Sequence, residues 1–175
     1  MTEFSKNLWA PWRMEYISTM DEKNAGGCFL CRYWTQPDQD EANLVLWRAC
    51  ECMVLLNRFP YNSGHLLICP AQHIGNIEDV PADLLTRLLT LTQDAVRLLR
   101  EVVKPQGFNI GVNLGKCAGA GLPGHVHLHV VPRWEGDTNF VPVLAGTRVM
   151  PQSLESLYHA AKEAAARLGL PKCGG

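Results

Sequence analysis

Three histidines stand at alternate positions in His125-Val126-His127-Leu128-His129. In an extended strand same-face neighbours lie roughly 6.6–6.8 Å apart, so the three imidazoles share one face while Val126, Leu128 and Val130 share the other. The aliphatic set accounts for itself as core. Three imidazoles in a row do not help folding, because each brings two ring nitrogens that need partners. Two kinds of chemistry suit them. Histidines at i and i+2 on a strand chelate zinc, although the outer pair is about 13 Å apart at the backbone, which makes one ion shared by all three awkward. Alternatively, a neutral imidazole nitrogen attacks phosphorus while its other nitrogen is held by a hydrogen bond, and its neighbours donate to oxygens where charge builds up.

The segment before the histidines bears on that choice. Asn113-Leu114-Gly115-Lys116-Cys117-Ala118-Gly119-Ala120-Gly121-Leu122-Pro123-Gly124 carries four glycines, one lysine and little side-chain bulk. Such a loop lets backbone N–H groups approach an anion closely. A tight connection has the same composition; its place directly before the histidines is what favours phosphate. Cys28 and Cys31 have the spacing of zinc knuckles. No second pair of that spacing occurs among Cys50, Cys52, Cys69, Cys117 and Cys173, and buried thiols are the ordinary account of such a pair.

Several elements must position these groups. Residues 8–17, with Leu8, Trp9, Trp12, Tyr16 and Ile17, read as a short aromatic turn of helix packed on the body. The polar stretches 18–27 and 35–43 read as loops. Strands are expected at Asn43–Ala49, Cys52–Asn57 and Gly64–Cys69, with a turn between the last two. From Pro81 to about Val103, apolar residues including Leu84, Leu88, Leu91, Ala95 and Leu98 recur at helical spacing, and Pro105 and Gly107 end the run. A strand at Phe108–Asn113 leads into the glycine loop, and the histidine strand follows over 125–131. A second helix is expected at Leu154–Leu168, stopped by Gly169. Successive strands with one long helix inserted late imply an α+β fold with a mostly antiparallel sheet, one long helix and a C-terminal helix. One domain is expected over 1–175, with an N-terminal arm at 1–27 and the C-terminal helix and tail at 150–175.

With 175 residues and 47% hydrophobic content, one well-filled core is affordable. A net charge of −1 offers no global field for a polyanion, which argues against nucleic-acid partners and leaves room only for a local basic pocket. The first residues are polar with no apolar stretch after them, and no run of eighteen apolar residues suggests a membrane span. A cytoplasmic protein with reduced thiols is the expectation.

Gly124 to Arg133 resembles the alternating motif of the histidine-triad nucleotide-binding superfamily. Leu56-Asn57-Arg58-Phe59-Pro60-Tyr61-Asn62-Ser63-Gly64-His65 through Pro70, with His73, is similar to the family's upstream nucleotide-binding segment, and Asn113–Gly121 to its glycine loop. Leu8–Arg13 and Arg133–Phe140 resemble a bacterial branch that includes diadenosine tetraphosphate phosphorylases. The resemblance implies an α+β histidine-triad domain that cleaves dinucleoside polyphosphates by hydrolysis or phosphorolysis. His127 would be the nucleophile, forming a nucleotidyl-histidine; His129 would contact phosphate oxygens, and His65 would be a further active-site histidine. Asn57 would meet the ribose hydroxyls and Phe59 the adenine. Asn113, Lys116, Gly119, Ala120 and Gly121 would surround the phosphates, and Trp134 would offer its indole N–H to the outer one. Some relatives complete a structural zinc site at the positions of Cys28, Cys31, His73 and His125, which would free His127 from metal. The resemblance further implies a homodimer or higher homo-oligomer, inorganic phosphate as a second substrate of a phosphorylase, and no organic cofactor. Hydrolysis of small adenylates such as adenosine phosphoramidates is the alternative enzyme, and a zinc-dependent interaction module without catalysis the alternative class. One departure stands out: where several members carry Ser, Thr or Gln, this chain has Gly121-Leu122-Pro123. The backbone N–H of Gly121, a water or Lys116 would have to assist the leaving group instead.

Overall fold

The computed structural model describes residues 27–137 and 150–172; the aromatic segment expected at 8–17 lies outside them. Helix α1 spans Phe29–Trp34. Strands β1 (Val45–Ala49), β2 (Cys52–Leu56) and β3 (Leu66–Pro70) follow. The long helix α2 covers Ala82–Val102, then come β4 (Gly107–Val112) and β5 (Leu128–Arg133), and α3 covers Leu154–Leu168. The sheet runs β1-β2-β3-β5-β4 with every neighbouring pair antiparallel, in agreement with the expected α+β architecture.

Strand alternation sorts the side chains into two layers. On one face Val54, Leu56, Leu66, Ile68 and Val130 pack against the apolar stripe of α2 (Leu84, Leu88, Leu91, Leu98) and against Leu157 and Ala161 of α3. On the other face Val45, Met53, Leu55, Leu67 and Cys69 form a smaller cluster with Leu30 of α1 and Leu122. The second face carries the histidines. Both helices end where expected. The Ser153 hydroxyl accepts the Ser156 N–H at the start of α3, and Gly169 closes it in the left-handed region at φ 60°.

Three features depart from the sequence reading. First, β5 begins at Leu128, not at 125, because its ladders with β3 and β4 both stop there. His125 to His127 form an extended lead-in, tied by the Val126 N–H to the Ile74 carbonyl at 2.7 Å. Second, α1 went unpredicted; six residues are too few for a periodic signal. The neighbouring stretch expected to be loop also contains a short 3-10 turn at Pro37–Gln39. Third, the β1–β2 turn places Cys50 and Glu51 at φ 52° and 59°, the twist a two-residue hairpin demands. Cys50 is disulfide-bonded, so the expectation that all thiols are reduced fails there, whereas Cys28, Cys31, Cys52, Cys69 and Cys117 are free.

Gly64 decides how the chain enters β3. Its φ is +78°, and a Cβ there would lie 3.1 Å from Leu99 and 3.2 Å from Pro132. Glycine lets this corner press onto α2 and β5, which carries His65 into the second face. Among the described residues no helix is long and apolar enough to cross a membrane.

Candidate active site

His125, His127 and His129 are 1%, 6% and 8% exposed, while Val126, Leu128 and Val130 join the main core, so the alternation holds through the irregular lead-in. His127 Nδ1 lies 2.8 Å from the His125 carbonyl oxygen. Burial lowers the pKa of His127, only partly offset by that carbonyl, and favours the neutral ring. A neutral imidazole that donates Nδ1–H to a carbonyl keeps a lone pair on Nε2, which is the requirement for a nucleophile. His129 sits across from Leu67 on β3. Burial, and secondarily His127, push its pKa down to about 4. Its Nδ1 lies 2.9 Å from Nε2 of His65, itself 1% exposed. The Tyr61 ring lies over both, with centroids 4.6 Å from His65 and 5.6 Å from His129.

A cleft of about 270 Å³ opens onto His127 and His129. Asn57, Phe59, Gly119 and Gly121 line it, as the resemblance implies for the substrate groups, and Arg32 and Arg58 add positive charge with no carboxylate beside them among the described lining residues. Other expected contacts are absent from its wall. Asn113 instead holds the glycine loop, its Nδ2 donating to the Gly119 carbonyl at 3.4 Å. Lys116 and Ala120 lie off the wall too, and the N–H groups of Gly119 and Ala120 are given to the carbonyls of Lys116 and Gly115. The loop thus spends on its own turn two of the amides expected to face an anion. Trp134 is a further correction: its indole N–H donates to the Lys104 carbonyl at 3.3 Å, not toward the cleft. Sequence reasoning missed Phe29, Arg32 and Tyr33, which reach the cleft from α1, and Asn43 just before β1. Only the arginine beside the cysteine pair hinted at a role. Asn43 carried no signal, being a common loop residue.

Next to the cleft, Cys28, Cys31, His73 and His125 bring one donor atom each within 4.8 Å of all the others. Cys28 Sγ and Cys31 Sγ lie 3.2 and 3.5 Å from His125 Nδ1, and Cys31 Sγ lies 3.3 Å from His73 Nδ1. A tetrahedral zinc with ordinary Zn–S and Zn–N bonds has S···N edges of about 3.6 Å. The donor set and spacing therefore fit zinc. His125 also places its other nitrogen, Nε2, 2.9 Å from the Pro70 carbonyl, the outer hydrogen bond that orients a metal-binding imidazole. Of the two readings open for the histidine face, the geometry separates them: His125 joins the cysteines, and His127 and His129 line the cleft.

The HIT domain family model matches residues 39–136. An "AP-4-A phosphorylase" of Mycobacterium tuberculosis is 39% identical over 153 residues, covering 85% of this chain and 78% of that protein. Among solved structures, a Zn-bound histidine triad family protein from Mycobacterium smegmatis superposes with TM-score 0.66 at 28% identity, covering 82% of this chain and 96% of the other. A histidine triad nucleotide-binding protein from Sulfolobus tokodaii shares the fold at TM-score 0.65 and 22% identity, over 85% of this chain and all of the other. With its buried histidines on one sheet face and this extent of similarity, the chain belongs to the HIT domain family.

Proposed function

We propose that the chain cleaves dinucleoside polyphosphates of the diadenosine tetraphosphate type through a covalent nucleotide on His127, with inorganic phosphate or water as the acceptor. That it is an enzyme, a nucleotide hydrolase or phosphorylase, follows from its family and its 39% identity to the mycobacterial phosphorylase. The observation that carries the finer reading is the His127 Nδ1 contact with the His125 carbonyl, which leaves Nε2 as a lone pair in a cleft with two arginines and, among the described lining residues, no carboxylate. In the first step Nε2 bonds to the nucleotide phosphorus as the P–O bond to the leaving polyphosphate breaks. In the second, the acceptor oxygen bonds to phosphorus and the P–N bond breaks, restoring His127. His129 would meet the phosphate oxygens where charge gathers. Asn57 and Phe59 would face ribose and adenine, and Gly119 and Gly121 the phosphates.

Zinc held by Cys28, Cys31, His73 and His125 would be structural, with no open position for substrate. By fixing the His125 ring it would also fix the carbonyl that orients His127. This support comes from the donor geometry and from the zinc-bound mycobacterial structure. A homodimer would form through β4, which pairs only with β5 among the described residues and leaves Ile110 49% exposed. A cytoplasmic setting suits such a substrate. The deciding experiment is product analysis with diadenosine tetraphosphate, with and without phosphate. Incorporation of phosphate into a nucleoside diphosphate supports phosphorolysis. Release of nucleoside monophosphate beside the triphosphate, with no diphosphate, supports hydrolysis, and full turnover by His127→Ala would sink the covalent route.

A further inference from the structure

We propose that Asn43 is a specificity-determining residue that reads the N6/N7 edge of adenine at the far end of the cleft, so that the site chooses adenine over guanine. One row of cross-strand partners sets the length of the cleft. His129 on β5 sits across from Leu67 on β3, Leu67 across from Leu55 on β2, and Leu55 across from Val45 on β1. Neighbouring strands lie about 4.7–4.9 Å apart, so the histidine end and the head of β1 are separated by about 14 Å at the backbone. A nucleoside monophosphate whose phosphorus meets His127 extends along that row with its base toward β1. Leu55 and Leu67 line the span from the sheet, and Phe29 and Tyr33 line it from α1, an apolar slot of the kind that takes a flat ring.

The head of β1 is built to hold Asn43 at that end. Leu44 adopts φ 60°, a left-handed conformation that a bulky residue rarely takes, with its side chain in the main core and Asn43 on the cleft. Hydrogen bonds fix the turn. The Asn43 N–H donates to the Gln39 carbonyl and the Val45 N–H to the Asp40 carbonyl, each at 2.8 Å, and the Arg58 guanidinium donates to the Ala42 carbonyl at 2.6 Å. Yet Nδ2 of Asn43 is buried and has no partner among the described residues. Buried donors ordinarily have partners, so this amide is set for an acceptor that arrives with the ligand. The other lining asparagine is already engaged: Asn57 Oδ1 accepts the Phe59 N–H at 2.9 Å, and its Nδ2 lies 3.2 Å from His65 Nδ1. An asparagine amide pairs with adenine through two bonds, Nδ2–H donating to N7 and Oδ1 accepting from the N6 amino group. Guanine shows two acceptors, O6 and N7, on the same edge, so one bond is lost and Oδ1 is left facing O6. Arg58 and Arg32, the latter over the Tyr33 ring at 5.6 Å, offer donors only, which leaves the adenine amino group to Asn43.

This inference rests on the cleft being the nucleotide site of the proposed function, not on the transfer reaction, so binding tests it without turnover. Calorimetric titration of the wild-type protein uses adenosine monophosphate, guanosine monophosphate and 7-deazaadenosine monophosphate, in which a carbon replaces N7. The adenosine ligand is expected to bind about tenfold tighter than the guanosine ligand, and about 2–10-fold tighter than the 7-deaza analogue. Equal affinity in either comparison overturns the proposal, as does failure to bind adenosine monophosphate at all. Asn43→Leu keeps a side chain of similar size and removes both bonds. It should bring all three ligands within about threefold of one another, and an undiminished preference for the adenosine ligand refutes the assignment. The ratio of kcat/KM for diadenosine over diguanosine tetraphosphate should follow the same course, about tenfold in the wild type and within about threefold of unity in Asn43→Leu. A wild type inert toward both dinucleotides yet selective for adenosine monophosphate refutes the transfer reaction and upholds the role of Asn43. An active wild type indifferent to the base refutes that role and leaves the reaction standing.

Discussion

Serine in place of Cys31 removes one of four convergent donors and measures what a metal contributes to this fold. The cluster joins segments far apart in the chain: its sulfur–nitrogen contacts span 97, 94 and 42 residues. Apart from the cluster, α1 is held by its one fully buried side chain, Leu30, by the partly buried Phe29, Tyr33 and Trp34 on the smaller apolar cluster, and by Arg48, which donates to the Tyr33 and Trp34 carbonyls. An ion bound only by the folded chain, free at a thousand times its dissociation constant, stabilises by about 4 kcal/mol. For a domain of this size each kcal/mol moves Tm by about 2–4 °C, so the loss should be about 8–16 °C. Calorimetry of wild type and Cys31→Ser, each with and without a strong zinc chelator, reads it, alongside metal content per chain. Chelation should lower wild-type Tm to near that of the variant and leave the variant unchanged. Burial, then the neighbouring Cys28, pushes the Cys31 thiol up to about 11, so zinc uptake near neutrality displaces its proton and the gain grows with pH. A zinc-supplied wild type that binds no metal and melts identically with and without chelator would refute the reasoning.

Three further outcomes are expected. His129, held down near 4 by burial and by His127, is neutral in the folded chain, whereas unfolded histidine titrates at 6.5; its stabilising contribution is complete above pH 6.5 and lost as pH falls toward 4, so a Tm at pH 5 equal to that at pH 7.5 contradicts the assignment. Asn43 Nδ2 is buried without a partner among the described residues and its side chain borders the cleft. Asn43→Ala should raise KM for the dinucleotide by about 2–10-fold with kcat nearly unchanged, the worth of one hydrogen bond, and a fall in kcat at constant KM speaks against a substrate contact. Ile110→Lys charges the exposed β4 edge and should shift light-scattering mass from dimer to monomer; an unchanged dimer rules out that edge.

Much of the frame was legible from local pattern. The α2 stripe and the α3 boundaries follow from helical periodicity, which survives any tertiary arrangement that buries one face. The start of β5 was not legible, because a strand's extent depends on partners, and β3 and β4 both leave it at Leu128. At the site, Cys28 and Cys31 showed their spacing openly. His73 and His125 meet them where the Val126 N–H binds the Ile74 carbonyl and His125 Nε2 lies against the Pro70 carbonyl, contacts between segments that spacing does not show. Trp134 was misjudged because its position beside the triad says nothing of which way the indole turns, and the Lys104 carbonyl takes its N–H.

What the sequence by itself determined is the common face of the three histidines. Period two belongs to the extended backbone, and it held even where no ladder was formed. Residue type and spacing left open how that face is divided; the family resemblance implied a division, and the tertiary structure puts His125 beside the cysteines and His127 and His129 at the cleft. It alone brought His65 across 64 residues to His129, and α1 to the cleft wall. The physical reason is that an imidazole's role follows from where its proton sits. That is set by the donor or acceptor across from each nitrogen, a property of folded neighbours that residue type and spacing do not carry.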